Sequence, residues 1–550
     1  VLATPVFFVL IAVELAIGHR RQRNTYHLAD AMSSIGLGML SQTSAVFTRL
    51  LRIGIYTALF EHVALWRSDA FWTSLPGWLL ALVFYDFCYY WLHRMGHESA
   101  VLWAAHAVHH QSQDYNLSTA LRQTSSGALL GWVFYVPMAL AGVPPLVFGV
   151  VALIDLLYQF WVHTEQVGRL SWFDRWFCSP SNHRVHHAVN DAYLDKNYGG
   201  ILVVWDRIFG TFKDEDDKEK CVYGTRGLLN SWDPLWANAQ VYAGLAHDSW
   251  HTRRWGDKLR VWLKPPGWRP ADVAQRFPKP AFDIARMPRY NPAMTPATRW
   301  FASVQFVLLL AGVSVFLWHA DSAPLAHNTA WFAALLATQW ALGAVVQGRI
   351  SMPLALMIEA GALATATSAV GWTEWHLVFK PLTMVIAIIL VAACALSISA
   401  RDRFDAKPWV TMVLALGLSL AGDVFLMLDG LFIPGLVSFL GAHLAYIALF
   451  RQGVPWFAHR GALVTTLAVG AAMYAFLWAG GLPAALRGPV AAYVLVIALM
   501  AAQALGRARA LGTSAARMVA VGACLFMVSD SLLATSRFVQ PLPMAQFWVL

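Results

Sequence analysis

Apolar stretches long enough to cross a bilayer recur through most of this sequence. Each spans roughly 17–25 residues, the length that a helix needs to traverse the hydrocarbon core. Of the 550 residues, 58% are hydrophobic and only 13% are charged, which is too little charge to cover the surface of a soluble protein of this length. The sequence therefore predicts an all-α, multi-pass integral membrane protein.

Hydropathy, with breaks at charged and Pro/Gly positions, predicts about fourteen membrane helices. The first apolar segment, Val1–Ile17, precedes its basic residues, so it is predicted to be a retained span rather than a signal peptide. Because the chain starts at Val1 without Met and closes at Leu550 in an apolar run, both ends are expected to be trimmed. The predicted helices start near residues 1, 42, 75, 127, 145, 300, 330, 351, 378, 408, 432, 462, 487 and 516.

Charge and cysteine content exclude several classes of protein. The formal net charge of +9 could by itself indicate nucleic-acid binding, but the positions of the basic residues relative to the predicted spans do not support it. They cluster in short loops that alternation assigns to the cytoplasmic side, as the positive-inside rule requires; examples are Arg401, Arg403, Lys407, Arg451 and Arg460. The five cysteines form no CxxC pair, which argues against a disulfide framework and a structural zinc site.

Two regions interrupt the run of spans. The segments Gly127–Ala141 and Pro145–His163 are joined by Gly142-Val143-Pro144-Pro145, which predicts a tight helical hairpin. The polar stretch from about 164 to 299 predicts a cytoplasmic cap. Near residues 350–370 the composition shifts to continuous apolar helices, so we expect a first domain over 1–365 and a second over 366–550.

Histidines form three clusters with short spacings. Residues at i, i+3 and i+4 share a helix face, so each cluster directs several imidazoles to one point. All lie on the predicted cytoplasmic side, together with one further histidine that closes the hairpin. The predicted metal ligands are His93, His97, His106, His109, His110, His163, His183, His186 and His187.

Coincidence is a poor account of these clusters. A lone interfacial histidine is more often a hydrogen-bonded structural residue, yet chance gives roughly 0.02 copies of HxxHH in a chain of this histidine content, and two are present. Nine imidazoles exceed the four that a single tetrahedral zinc takes, which favours two metal ions. Imidazole suits iron, copper, zinc and nickel alike. Nearby Glu98, Asp114 and Glu165 are predicted to orient the imidazole rings through their N–H groups, with direct binding to a metal ion as the alternative.

The HxxxH, HxxHH, HxxHH series resembles the fatty acid hydroxylase/sterol desaturase superfamily, whose members carry a non-haem di-iron centre. Further segments are similar to the alkylglycerol monooxygenase branch over roughly residues 1–365; Asn182 departs from it, since animal members have another histidine there. Those segments are Asp114–Gln123, His163-Thr164, Pro180–His187, Asp195–Gly199 and Trp205–Phe212.

This resemblance implies O2-dependent hydroxylation of the ether-linked carbon of glyceryl ethers, which releases a fatty aldehyde. It implies two iron ions, replaceable by zinc on purification, and tetrahydrobiopterin or another reductant. It also implies a catalytic role for Glu98 and substrate contacts by Asn116, Ser118, Thr119 and Arg122. Because the substrate is apolar, we expect the hairpin Gly127–His163 to border a channel that opens to the bilayer.

The last third of the chain carries ionisable residues inside apolar helices, each a candidate functional residue because its burial in lipid is costly. They include Lys380, Asp423, Asp429, His443 and Asp530. The alternative is a buried Lys–Asp pair that only holds helices together. The pattern of Lys380-Pro381, Gly422-Asp423, His443 and Ser529-Asp530 resembles the lysoplasmalogenase (YhhN-like) family. That resemblance implies vinyl-ether hydrolysis with Asp423 and Asp530 as the acid/base pair and Lys380 and His443 at the substrate.

The expected partners are a lipid drawn from the bilayer and an electron donor, with no nucleic acid. Two alternatives stay open: a sterol or fatty-acyl hydroxylase or desaturase with the same metal core, and a divalent-metal transporter. Clustering of the histidines on one face disfavours transport, since a transport path would distribute them across the bilayer. Either a bacterial inner membrane or the endoplasmic reticulum fits the sequence.

Overall fold

The structure, a computed structural model, describes residues 4–399 and 406–542, so Arg401 and Arg403 lie outside the described residues. Regular secondary structure in the described ranges is helical, and extended pairing there is limited to the isolated bridges Phe177–Leu202 and Ala188–Tyr223. The predicted all-α class is confirmed.

The chain forms two compact units. The first contains the described residues up to Ser322 and Leu342–Arg349, and the second contains Ala323–Ala341 and the described residues from Ile350 onward. The helices up to Ser322 are α1 (Thr4–Arg20), α2 (Leu28–Val63), α3 (Asp69–Trp72), α4 (Leu75–Glu98), α5 (Ala100–His110), α6 (Leu117–Ala120), α7 (Gly127–Gly131), α8 (Val136–Leu140), α9 (Pro145–Trp161), α10 (Pro180–His187), α11 (Val204–Phe209), α12 (Pro234–His251), α13 (Trp255–Leu263), α14 (Ala271–Arg276) and α15 (Pro296–His319).

The remaining helices are long and apolar. They are α16 (Leu325–Val346), α17 (Met352–Ala369), α18 (Thr373–Ser399), α19 (Ala406–Met427), α20 (Phe432–Phe450), α21 (Arg460–Ala479), α22 (Ala484–Leu511) and α23 (Ser514–Phe538).

Ten helices of the described chain, α4 and α15 to α23, are long and apolar enough to cross a membrane. The protein is therefore a multi-pass integral membrane protein, as predicted. The other four predicted spans correspond to α1, part of the 36-residue α2, the α7–α8 run and α9. The total of fourteen, and the side of the membrane on which the cap lies, stay predictions.

The predicted span at 127–141 is helical from Gly127 to Leu140 but is not a regular α-helix throughout. It divides into α7, a 3-10 turn at Trp132–Tyr135, and α8. The break has a physical cause, because Pro137 lacks a backbone N–H and its ring clashes with the preceding turn. The tight connection to α9 is present: Gly142 has φ +82, and a Cβ there would lie 1.7 Å from Trp66 O, so only glycine fits.

Two histidine-bearing helices begin at side-chain caps. Ser74 accepts a hydrogen bond from Gly77 N before α4. Ser179 and Asn182 form a reciprocal capping box at the start of α10, with Pro180 in its first turn. Such caps satisfy backbone donors that a helix start leaves open. Asn182, the departure from the animal pattern, therefore serves to start α10.

In the second unit, α19 and α20 pack closely through glycine. A Cβ on Gly422 would lie 2.5 Å from the Phe439 ring, and one on Gly435 would lie 2.7 Å from Leu426 Cδ2. Small residues allow membrane helices to approach in this way. The close approach fixes the position of Asp423, which follows Gly422 directly.

Candidate functional site

The structure brings all nine predicted histidines together. His93 and His97 lie in the last two turns of α4, three more lie on α5, His163 follows α9, and the last three lie on α10. They divide into two sets, and in each set the candidate ligand atoms lie within 4.8 Å of one another. The five-histidine set is His93, His97, His106, His110 and His186; the four-histidine set is His109, His163, His183 and His187.

Each HxxHH motif supplies both sets. On α5, His106 and His110 belong to the five-histidine set and His109 to the other. On α10 the division is reversed, since His186 alone joins the five-histidine set. Residues at i and i+4 stack on one helix face while i+3 is displaced around it, so two packed helices interleave their imidazoles into two neighbouring sites.

The Nε2 atoms within each set approach closely. The Nε2 atom of His106 lies 3.1 Å from that of His93 and 3.0 Å from that of His110. The Nε2 atom of His163 lies 3.1 Å from those of His109 and His183. Two imidazole nitrogens bound to one metal at about 2.0–2.1 Å come this close when they are adjacent in its coordination shell.

His109 and His163 give the sharpest test of the fit to metal. Nδ1 of His109 lies 2.9 Å from Arg122 O, and Nδ1 of His163 lies 2.8 Å from Gln159 O. Carbonyl oxygens only accept, so each Nδ1 carries the hydrogen and each Nε2 presents a lone pair. Two facing lone pairs 3.1 Å apart repel unless a cation lies between them. The donor set therefore fits a metal ion.

The same arrangement recurs in the five-histidine set. His93 Nδ1 donates to Tyr198 O at 2.8 Å, and His186 Nδ1 donates to Lys196 O at 3.0 Å. Nε2 of His186 and Nε2 of His97 are buried and have no protein hydrogen-bond partner in the described chain. Buried polar atoms normally find partners, so these nitrogens are suited to a second cation.

Burial keeps these imidazoles neutral. It lowers the pKa of His109 to about 4, and it lowers the pKa of His106, His110, His183 and His187 well below the ordinary value. The cause is the loss of solvation of the charged form. Neutral imidazole is the form that binds a metal ion.

Two buried aspartates hold the loop that orients His93. Asp206 accepts hydrogen bonds from Tyr198 N and Gly199 N, both at 2.8 Å. Asp86 of α4 accepts from Ile201 N and from the Trp205 indole. The sequence analysis assigned no role to either aspartate, although Asp206 lies within the segment Trp205–Phe212. The signal for Asp86 was present, since it is an ionisable residue inside a predicted span.

The carboxylates next to the histidines in sequence point elsewhere. Glu98 binds Arg94 at 2.8 Å and its side chain is 40% exposed, while Asp114 accepts from His27 N. Glu165 pairs with Arg23 at 3.1 Å. Among the nine clustered histidines, His97 has a carboxylate beside its ring: Asp195 Oδ1 lies 3.5 Å from His97 Nδ1. The predicted orienting role therefore falls to a residue distant in sequence, and catalysis by Glu98 stays a prediction.

The four predicted substrate contacts are buried among protein groups. Asn116 and Thr119 form a capping box at α6, and Ser118 Oγ donates to Asn116 Oδ1 at 2.5 Å. Arg122 is fully buried and donates to Val108 O at 2.8 Å. The Arg122 carbonyl lies 2.9 Å from His109 Nδ1, and direct contact of the four side chains with substrate stays a prediction. The predicted channel likewise stays a prediction, although Leu146 and Leu156 expose an apolar face of α9.

Arg184, between the ligands of α10, locks that helix to the cap. Its guanidinium donates to both carboxylate oxygens of Glu215, at 2.8 and 2.7 Å, and to the carbonyls of Thr164 and Val167. Both charged side chains are largely buried. Removing one partner of such a pair leaves an uncompensated buried charge.

We expect Arg184→Leu to lower the free energy of unfolding by about 3–5 kcal/mol, because Glu215 is left buried without its counter-charge. Arg286→Leu is the control, since the Arg286–Asp283 pair is exposed and such pairs contribute at most about 1 kcal/mol. Denaturant unfolding in detergent micelles measures both. Equal effects of the two substitutions would contradict a stabilising role for the buried pair.

The second unit encloses a cavity of about 520 Å³. Asp423 and Asp530 both line it, and Lys380 Nζ lies 3.1 Å from Asp423 Oδ1. The Tyr493 hydroxyl donates to Asp530 Oδ2. The remaining lining is mostly apolar and comes from α18 to α23. A cavity with two carboxyls, a lysine and apolar walls suits an amphiphile with a reactive polar bond.

His443 lies behind this cavity rather than in its lining. It is fully buried, and its ring packs 5.2 Å from the Tyr493 ring and 5.1 Å from the Phe526 ring. Neither ring nitrogen has a hydrogen-bond partner in the described chain. Asp429 is exposed. The sequence thus identified the cavity's lysine and carboxyls, whereas substrate contact by His443 stays a prediction.

Two family models match the chain. The fatty acid hydroxylase model matches residues 78–211, which include all nine histidines. The YhhN family model matches residues 375–550, the region of the second-unit cavity.

Several curated proteins are similar to this chain over part of its length. Human alkylglycerol monooxygenase is 37% identical over 311 residues, 56% of this chain and 69% of the relative. The Danio rerio alkylglycerol monooxygenase is 38% identical over 317 residues, covering 56% and 68%. The ornithine lipid hydroxylase OlsE of Rhizobium tropici is 30% identical over 173 residues, 31% of this chain and 52% of the relative. No solved structure matches the chain significantly.

Proposed function

The chain belongs to the alkylglycerol monooxygenase family, and from that membership we propose that it hydroxylates the ether-linked carbon of alkylglycerol lipids with O2. The observation that carries the proposal is the pair of histidine sets. Within the four-histidine set, the Nε2 lone pairs of His109 and His163 face each other at 3.1 Å, an arrangement that fits a cation between them. We propose two non-haem iron ions, with zinc as a substitute on purification.

The metal ions, when bound, supply the activation of O2 that attack on the C–H bond next to the ether oxygen requires. The protein's own groups hold the ligands. Backbone carbonyls of Tyr198, Arg122, Gln159 and Lys196 each fix one ring in the tautomer that leaves Nε2 free. Such outer contacts set ligand orientation and basicity.

The surroundings of the histidines exclude water. Tyr115 is buried, its hydroxyl donates to Val162 O at 3.0 Å, and its ring lies 5.3 Å from the His187 ring. A dry site prevents side reactions of the activated oxygen. We propose that an apolar substrate enters from the bilayer beside α9, where Leu146 and Leu156 are exposed, since this route avoids crossing water.

The reaction balances with one external reductant. One oxygen atom of O2 enters the C–H bond next to the ether oxygen, and the other leaves as water after taking up two electrons and two protons from solvent and reductant. We propose a reduced pterin as that reductant. The product is a hemiacetal, whose C–O bond to glycerol breaks as its hydroxyl loses a proton and the glycerol oxygen gains one. Fatty aldehyde and glycerol lipid are released.

A second candidate function is carried by the cavity of the second unit: hydrolysis of the vinyl ether of lysoplasmalogens. Lys380 balances the charge of Asp423, while Asp530 is hydrogen-bonded by Tyr493. We propose that Asp530 gives a proton to the vinyl carbon and that Asp423 takes one from the attacking water. The resulting hemiacetal also collapses to a fatty aldehyde and a glycerol lipid.

Oxygen isotopes separate the two activities. With alkylglycerol, reduced pterin and 18O2, we expect 18O in the aldehyde, because the new hydroxyl becomes its carbonyl oxygen. With an alkenyl lysophospholipid in H2 18O, we expect the label to come from water. Immediate reduction of the aldehyde to alcohol prevents exchange, and mass spectrometry reads the label.

The rival functions predict other outcomes of the same assay. A sterol or fatty-acyl hydroxylase would retain 18O in a hydroxylated lipid and release no aldehyde from alkylglycerol. A divalent-metal transporter would give no oxygenated product and would exchange its ions readily. Aldehyde from alkylglycerol without label from 18O2 would contradict oxygenation.

We also propose that the histidine cap faces the cytoplasm, where reduced pterin and other electron donors are supplied. The basic residues after α1, Arg20, Arg21 and Arg23, support this side by the positive-inside rule. Cysteine accessibility to impermeant reagents on sealed vesicles tests it.

A further inference from the structure

Helix α13 exposes its apolar side. Trp255, Leu259 and Leu263 are 82%, 71% and 68% exposed, and their spacing of four residues places them along one face of the helix. We refer to these three residues as the apolar stripe. A helix on a water-facing surface normally turns such apolar residues toward the protein and exposes its polar face, whereas α13 exposes two leucines and a tryptophan along one face.

The orientation of α13 is fixed by its other face. Asp257 and Val261 are buried, and the helix contacts α5. Lys258 Nζ donates to the carbonyls of Ser249 and Trp250, which ties α13 to the end of α12. The apolar stripe therefore points outward because the opposite face is held by protein.

The stripe ends beside the end of a membrane-crossing helix. Ala100 N donates to Lys264 O at 2.9 Å, and Ala100 is two residues beyond Glu98, where α4 ends. Helix α4 has 24 residues and is therefore about 36 Å long. The hydrocarbon core of a bilayer is about 30 Å thick, and the bilayer with both head-group layers is about 40–45 Å thick. The end of α4, and α13 with it, therefore lies at head-group depth.

Charge around the stripe indicates which lipids it contacts. Arg253, Arg254 and Lys264 flank it and are exposed, and Trp250 beside them is 81% exposed. Basic side chains next to outward tryptophan and leucine are typical of helices that lie in the interface of anionic membranes. A tryptophan ring is favoured at that depth.

We propose that α13 is an interfacial helix that inserts Trp255, Leu259 and Leu263 among the lipids around the protein, while Arg253, Arg254 and Lys264 bind anionic head groups. The occupant is the bilayer itself, because the stripe continues from the end of α4 and is flanked by cations. Helix α13 packs on α5, which carries His106, His109 and His110. Lipid contact thus holds the ligand helix at the membrane surface. This inference does not depend on the substrate.

Spin labelling of the full-length protein in nanodiscs tests the depth of the stripe. Leu259→Cys is labelled in a background with Cys221, Cys394 and Cys524 replaced by serine; Cys88 and Cys178 are buried. Asp217→Cys, at a position whose side chain is 89% exposed in a polar loop, is the control. Power saturation compares access of lipid-soluble O2 with access of a neutral water-soluble nickel chelate.

We expect the Leu259 label to favour O2 and the Asp217 label to favour nickel, so that the depth parameter changes sign between them. If the nickel chelate reaches the Leu259 label as readily as it reaches the control label, the proposal is wrong. The proposal is also wrong if the Leu259 label is shielded from both reagents, since that result indicates a protein partner or a second copy. Trp255→Cys repeats the measurement from a second position.

The anionic preference has its own test. Replacing Arg253, Arg254 and Lys264 by glutamine should increase nickel access at Leu259 in discs that contain phosphatidylglycerol, and leave it unchanged in discs of phosphatidylcholine alone. The same access in both lipids, with and without the cations, would refute head-group binding by these three residues.

Discussion

His109→Ala and His186→Ala are each expected to abolish alkylglycerol oxidation, with a loss of more than about 100-fold. Substitution of residues that only hydrogen-bond to metal ligands already lowers metal affinity or activity by about 10–100-fold, so removal of a ligand should cost more. His109 belongs to the four-histidine set and His186 to the five-histidine set. Each substitution removes one Nε2 donor, so iron content should fall from two ions per chain. Elemental analysis and aldehyde release measure the two effects.

His247→Ala is the matched control. His247 lies on α12, outside both sets, and contacts Asp248. This variant should keep both its metal and its activity. Loss of metal in His109→Ala without loss of aldehyde release would contradict a catalytic role for the histidines, and full metal content in both ligand variants would remove them from the site.

Asp423→Asn is expected to eliminate vinyl-ether cleavage of a lysoplasmalogen and to leave alkylglycerol oxidation unchanged. The carboxylate of Asp423 pairs with Lys380 in the cavity of the second unit, whereas the histidines all lie in the first. The amide is nearly isosteric but cannot accept a proton from water at neutral pH. Release of aldehyde from each substrate, assayed separately, gives the comparison.

Asp429→Asn controls for the loss of a charge at the same end of α19, since Asp429 is exposed. It should leave both activities intact. If Asp423→Asn removes both activities, the Lys380–Asp423 pair serves to hold the helices in place. If both activities survive, Asp423 has no part in the chemistry. In the reverse direction, His109→Ala should retain vinyl-ether cleavage.

Local spacing was sufficient to predict which histidines come together. Residues at i, i+3 and i+4 share a helix face whatever the rest of the fold does, so the HxxHH motifs named His106 and His183 without knowledge of tertiary contacts. Asp423 and Lys380 were found for a related reason, because charge inside an apolar helix needs a partner.

Sequence proximity misled where the contacts are non-local. Glu98 adjoins His97, yet its carboxylate binds Arg94 one turn back, because a helix turns successive side chains away from each other by about 100°. Asp195, nearly a hundred residues later, is the carboxylate near His97. Substrate contact by Arg122 stays a prediction; what the fold adds is that its side chain is buried and that its carbonyl oxygen accepts from His109 Nδ1.

The sequence by itself determined that the chain is a multi-pass helical membrane protein and which histidines are candidate metal ligands, because both follow from composition and from spacing within single helices. Only the tertiary structure decided that the nine imidazoles divide into five and four. That division depends on how the imidazoles of α5 meet those of α10, where the centroids of the His110 and His187 rings lie 4.3 Å apart, and it places His109 in one set and His186 in the other. Packing of helices far apart in sequence leaves no periodic signal in either one, so no local pattern could have revealed it.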